Sequence, residues 1–149
     1  MRSRLPLAAI LVAILLASCG GRPELTVTIA GATVPMVLAS TTERTACSTS
    51  VGDAFPQNVP LTVVPRASPP TLHIAAPGAT EIRGAIYDVA APSPSGGPME
   101  EFTLPGGDGE HAFRSILPAR TYRVIVNVGW SFVVAGGEVT YLFDLRQEP

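Results

Sequence analysis

Fifteen prolines and fourteen glycines, spread along 149 residues, set the tightest limit on what this chain can fold into. Proline locks φ and carries no N–H, and glycine costs backbone entropy inside any regular element. Together they punctuate the chain too often for long helices beyond the N-terminal segment. Apolar residues alternate instead. Leu25, Val27 and Ile29 fall on one face of a strand over Glu24–Ala30, with Thr26 and Thr28 on the other. Further strands are expected at Thr33–Ala39, Leu61–Val64, Thr71–Ala76, Glu81–Val89, Glu101–Leu104 and His111–Ile116. Pro35 places the second strand at an edge or a bulge. The clearest pair is last. Tyr122, Val124, Val126, Val128 and Trp130 share a face, as do Val139, Tyr141, Phe143 and Leu145, with Gly136-Gly137 read as the turn between them.

The intervening stretches read as turns and loops. Ser40–Pro60 is expected to be a long loop with at most one helical turn, and such loops are often functional. Pro77–Thr80 and Pro105–Gly109 read as turns, and Ala90–Pro98 as a Pro/Ser/Gly loop. Gly84 marks a bulge or a close backbone approach. Frequent short strands with turn signals imply an all-β fold, a β-sandwich of about seven to nine strands.

The N-terminus differs from the rest. Arg2 and Arg4 form a positive n-region, and Leu5–Ala17 is an uncharged apolar run. This is the layout of a cleaved secretory signal helix. Leu5–Ser18 spans fourteen residues, short of the roughly 20 that a bilayer-spanning helix requires. Leu16-Ala17-Ser18-Cys19 resembles the lipobox of bacterial lipoproteins: a branched aliphatic, two small residues, then Cys. The resemblance implies cleavage before Cys19 and lipidation of the Cys19 thiol, with palmitate-type acyl chains holding the protein on the membrane. Two acyl chains suffice, each buried CH₂ contributing about 0.8 kcal/mol. Residues 1–18 are then signal peptide, 19–23 the lipidated Cys and a short tether, and 24–149 the domain. Gly20 is not the Asp that in many two-membrane bacteria holds lipoproteins on the inner membrane, so the outer membrane is the implied destination there.

Leu117–Val124 resembles the tyrosine-corner segment of immunoglobulin-like and fibronectin-type domains, with Tyr122 at the matching position and Ala119-Arg120 where glycine is usual. It implies an immunoglobulin-like sandwich. The mature chain is also similar to small uncharacterised bacterial lipoproteins in Thr26–Leu38, Cys47, Trp130 and Tyr141-Leu142-Phe143. Those carry two Cys in the loop where this chain has Cys47 alone, so any disulfide there is lost.

Other chemistry is sparse. The chain has ten Arg and no Lys, and its net charge is −2. Without residues 1–18, eight Arg face twelve acids, a side-chain sum of −4. A nucleic-acid partner held by bulk charge is excluded, since phosphate neutralisation needs a dense basic face. His73 and His111 lie outside any ligand-spaced motif, and no metal or cofactor is expected. A soft-metal site from His73, His111, Met36, Met99 and Cys47 has no spacing to support it. The Gly106–Glu110 segment has too few oxygens for a calcium loop. No Gly-x-Ser-x-Gly or phosphate loop occurs. Glu100 and Glu101 point to opposite faces of a strand. No catalytic residue is identified. Cys47 is expected as a buried, inert thiol and Trp130 as core.

The expectation is a non-enzymatic, lipid-anchored extracytoplasmic module of the cell envelope. The membrane holds it through Cys19, and an envelope protein is its possible partner. A periplasmic small-ligand or metal carrier is the alternative.

Overall fold

The computed structural model describes residues 22–54, 56–66, 70–90, 97–114, 116–133 and 135–149. The signal segment and Cys19 lie outside them, as does most of the Ala90–Pro98 stretch. The described chain is all-β, with nine strands: β1 (Thr26–Ile29), β2 (Ala32–Thr33), β3 (Val37–Arg44), β4 (Thr49–Asp53), β5 (Leu61–Val64), β6 (Thr71–Asp88), β7 (Glu100–Ala112), β8 (Thr121–Ser131) and β9 (Gly136–Gln147). They form one curled sheet in the order β2-β1-β6-β8-β9-β3-β4, with β7 on the other side of β6 and β5 parallel to the end of β9.

One sheet makes two layers because the β6–β7 hairpin is folded across its middle. The first half of β6 pairs with β1 (Thr26↔Ala75 to Ile29↔Leu72), and the second half pairs with β8 (Glu81↔Gly129 to Asp88↔Tyr122). β7 follows both halves, and the register breaks between Ala76 and Glu81. Pro77–Thr80 on one strand and Gly106 on the other lie in that break, flanked on β7 by the paired Pro105 and Gly107, with Gly78 and Gly107 at positive φ. A Cβ on Gly106 would run into the carbonyl of Ala79, so only glycine lets the two strands approach there. These residues, expected to end strands, instead crease them. The expected separate strands 71–76 and 81–89 are one element, and so are 101–104 and the segment beginning at His111.

A second correction concerns Ser40–Pro60. Much of it is a hairpin: β3 pairs with β4 from Ser40↔Asp53 to Arg44↔Thr49, while β3 also pairs with β9. Its Ser/Thr-rich sequence hid the strands because both carry little apolar surface; β4 is exposed along its whole length. Gly136 and Gly137 likewise belong to β9, opposite Ser131 and Trp130. A Cβ on Gly137 would meet the Thr42 carbonyl, and Trp130 Cζ2 would lie 2.7 Å from it. These glycines give the indole room across the ladder.

The core is what alternation predicts. Val27, Leu72, Ile82, Ile86, Tyr122, Val124, Val126, Val128, Val139, Phe143 and Leu145 have no exposed surface, and Trp130 is buried with them. Full burial of such a side chain contributes about 1.5–3 kcal/mol. Tyr141, expected on the same face, is only partly buried and packs against the core margin. Phe102 packs flat on Gly84, the close approach that glycine signalled. The tyrosine corner is present: Tyr122 Oη accepts a hydrogen bond from the Leu117 N–H at 3.0 Å. Ala119 takes φ +63°, the left-handed conformation for which glycine is usual, and its N–H donates to the Gln147 carbonyl at 3.0 Å.

Candidate functional site

The registers bring four chain segments to one end of the sandwich. β1 enters beside Ala75, just before the crease at Pro77. The crease faces the β8–β9 connection: Phe132 Cζ lies 4.0 Å from where a Cβ on Gly78 would stand. The β8–β9 connection is closed by Ser131↔Gly136, and Arg44↔Gly136 sets the β3–β4 turn next to it. That turn is held by Thr45, whose backbone N–H and hydroxyl both reach the Ser48 carbonyl. A shallow depression of about 640 Å³ runs between the two turns, bordered by Arg44, Ala46, Trp130 and Phe132.

This end is also where the chain arrives from its N-terminus. Pro23 and Leu25 are already buried. Cys19 to Arg22 lie directly before Pro23 in the sequence, and four residues span at most about 14 Å. The expected lipidation residue, Cys19, lies outside the described residues, but its greatest distance from this end is set by chain length.

Two apolar side chains at the same end are exposed: Phe132 at 41% and Val133 at 102%. Sequence reasoning passed them over as turn residues. The signal was present in Phe132-Val133, an apolar pair in a hairpin connection where polar residues are usual. Of the other exposed apolar side chains, Val89, Met99 and Leu117 lie at the opposite end, Val51 on the edge strand β4, and Leu61 and Val63 on β5. Charges of both signs occur at this end: Arg44 and Glu138 border the same depression, and neither Arg22 nor Arg44 has an ion-pair partner among the described residues.

Cys47 sits in the β3–β4 turn and is exposed, not buried. The hairpin that replaces the expected loop carries it out to the turn, away from the core. His73 and His111 stand on neighbouring strands but on opposite faces, because Leu72 pairs with His111 and His73 with Glu110. Outside, His73 Nδ1 lies 2.9 Å from Glu110 Oε1. A cleft of about 390 Å³ runs past this pair, bordered by Thr26, Thr28 and Asp108. Inside, His111 Nε2 lies 2.6 Å from Glu100 Oε1, stacked on Phe102 and edge-on to Phe113. Glu100 Oε2 also accepts the Arg114 N–H at 3.0 Å. Glu100 and Glu101 face opposite ways, Glu100 inward across from Ile86. Among the described residues no three potential ligands gather into a metal-sized group.

The outer face of β6, β8, β9 and β3 is polar and cross-linked. Arg83 bridges Glu81 and Glu138, and Thr140 joins Ser40 to Asn127. Arg123 makes a forked pair with Asp144 at 2.9 and 3.0 Å. That hydrogen bond, reinforced by the carboxylate charge and opposed by partial burial, raises the Arg123 pKa above the ordinary arginine value. These groups satisfy one another, which is the chemistry of a stable surface.

No protein-family model, curated protein or solved structure matches this chain.

Proposed function

We propose that the protein is a lipid-anchored module of the cell envelope, held on the extracytoplasmic side through Cys19 and acting by binding or by structural presentation, without catalysis. The observation that carries this reading is Leu16-Ala17-Ser18-Cys19 standing directly behind a charged n-region and an apolar h-region. The thiol supplies the nucleophile for the lipid donor, and the small neighbours give a peptidase access to the backbone. The geometry at the tether end supports it. With Pro23 already buried, the leash is four residues, so a lipid on Cys19 keeps one end of the sandwich against the headgroups. In a two-membrane cell the outer membrane is the proposed site, because Gly20 follows the modified Cys.

The two histidines pair with carboxylates on opposite faces of the β6–β7 ribbon, so they do not converge on one site. An envelope protein that reaches the membrane surface is the partner that suits so short a leash.

The test is Cys19→Ser with detergent phase partitioning. The natural chain is expected in the detergent phase with a mass increment of lipid, and the variant in the aqueous phase as a precursor. Equal partitioning of the two would remove the lipoprotein reading.

A further inference from the structure

Four features converge on one end of the sandwich. The first is the buried pair Pro23 and Leu25, with Pro23 four residues from Cys19. The second is Phe132, 41% exposed, and Val133, fully exposed, in the β8–β9 connection. The third is the β3–β4 turn with Ala46 and Cys47 exposed beside them. The fourth is mixed charge: Arg44 and Glu138 border the same depression. A leash of at most about 14 Å cannot carry this end far from a bilayer. The apolar tip therefore meets the headgroup region whenever the anchor is in place. An exposed aromatic beside an aliphatic side chain gains there by leaving water.

From this placement we infer that the β8–β9 tip, through Phe132 and Val133, is a second membrane contact that inserts into the lipid interface and fixes the domain's orientation. The inference rests on the anchored reading above. Insertion is driven by apolar surface, since the mature side chains sum to −4 and offer no net positive charge. Binding by anionic lipid would need clustered basic residues. The domain then stands end-on. The crease and both turns lie at the membrane, and the tyrosine-corner end points away. Tyr122 and Trp130 are eight residues apart on β8, so these ends are separated by about 26 Å. Val89, Met99 and Leu117, exposed at the far end, face the aqueous side.

The single tryptophan of the chain reports on this directly. Trp130 is buried at the root of the tip, beside Gly137 and two residues before Phe132. The lipidated chain, purified in detergent, is reconstituted into phosphatidylcholine vesicles with and without bromine on the acyl chains near the headgroups. Bromine quenches indole fluorescence only at close range. Trp130 is expected to be quenched, at least about fivefold more than in a Phe132→Ser/Val133→Ser chain, since both apolar side chains are then lost from the contact. Both residues are exposed, so the double variant keeps the core; flotation with the vesicles confirms that it remains anchored. A Val89→Ser/Leu117→Ser chain is expected to be quenched as the natural chain is. Anchored protein whose Trp130 is unquenched, or is quenched equally in the tip variant, overturns the inference and leaves the anchor standing. A chain that does not float with vesicles overturns the anchored reading and the inference with it.

Discussion

Two adjacent hairpins of this sandwich solve different problems. The β8–β9 hairpin runs in unbroken register from Thr121↔Arg146 to Ser131↔Gly136, flat enough to stay in one layer. The β6–β7 hairpin is longer, and its register breaks once, between Ala76↔Gly107 and Glu81↔Pro105, where it passes from one layer to the other. Burial alternates strictly along β8, and the pairing is interrupted only in the second hairpin. The difference is what turn-forming residues do when both strands carry them at matching positions. A Pro-Gly on one strand normally ends it. Placed opposite a Pro-Gly-Gly, it bends a two-stranded ribbon, which keeps its pairing on either side.

The flat hairpin owes its stability to its inner face, so the largest effect is expected there. Phe143, opposite Val124, has no exposed surface. Phe143→Ala removes a large buried ring and leaves a cavity, at a cost of about 3–5 kcal/mol. Chemical denaturation with an unchanged slope and a lowered midpoint checks it. An unchanged midpoint would mean that this face is not the core.

The crease is expected to be sensitive through backbone contact. Gly106→Ala sets a Cβ against the Ala79 carbonyl, and neither is a flexible side chain. The cost is about 2–3 kcal/mol, as in other overpacked sites. Gly129→Ala in β8 is the matched control: its nearest atom would be the Glu81 carbonyl oxygen at 3.9 Å. There alanine is neutral or stabilises by about 0.4–1 kcal/mol, through the unfolded chain. Thermal unfolding of the two variants separates the hairpins. Equal losses in both would mean that the crease is no tighter than an ordinary strand.

The same contrast explains what was legible in the sequence. Period-two alternation in Tyr122–Trp130 and Val139–Leu145 is written by burial on one face, so those strands and most of their core residues were readable without coordinates. So was the tyrosine corner, because its donor lies five residues from the ring. The β3–β4 hairpin was not, since β4 is exposed throughout and carries no burial pattern. Misreading it hid the exposure of Cys47. Cys19 is proposed from a local motif alone and lies outside the described residues, whereas the place of Phe132 and Val133 beside the chain's first strand emerges only from long-range register. No property of residues 131–136 says that the chain's first strand starts beside them.

The smallest of these effects concerns how the folded hairpin is kept closed. Glu100 and His111 stand near opposite ends of β7, eleven residues apart, yet Nε2 and Oε1 are 2.6 Å apart because the crease brings the ends together. An ionised carboxylate only accepts, so the ring nitrogen facing it carries the proton. Glu100 Oε2 takes the Arg114 N–H as well, at 3.0 Å. The flat hairpin has no counterpart, since its strands never turn back on themselves. Glu100→Gln keeps the shape but replaces one accepting oxygen by an amide NH₂, which then faces a donor. The expected cost is about 1.5 kcal/mol, the low end for a hydrogen bond to a charged group. Side-chain exposures of 11% and 17% make solvent screening small. If the pair closes the crease, the loss is local. Amide exchange at Arg114 and along β7 accelerates roughly tenfold for each 1.4 kcal/mol, while β8 and β9 keep their protection. A double-mutant cycle with His111→Gln is expected to give a coupling of about 0.5–2 kcal/mol. Zero coupling, or exchange that quickens equally in both hairpins, would show that the crease holds by backbone packing alone and that Glu100 and His111 merely meet there.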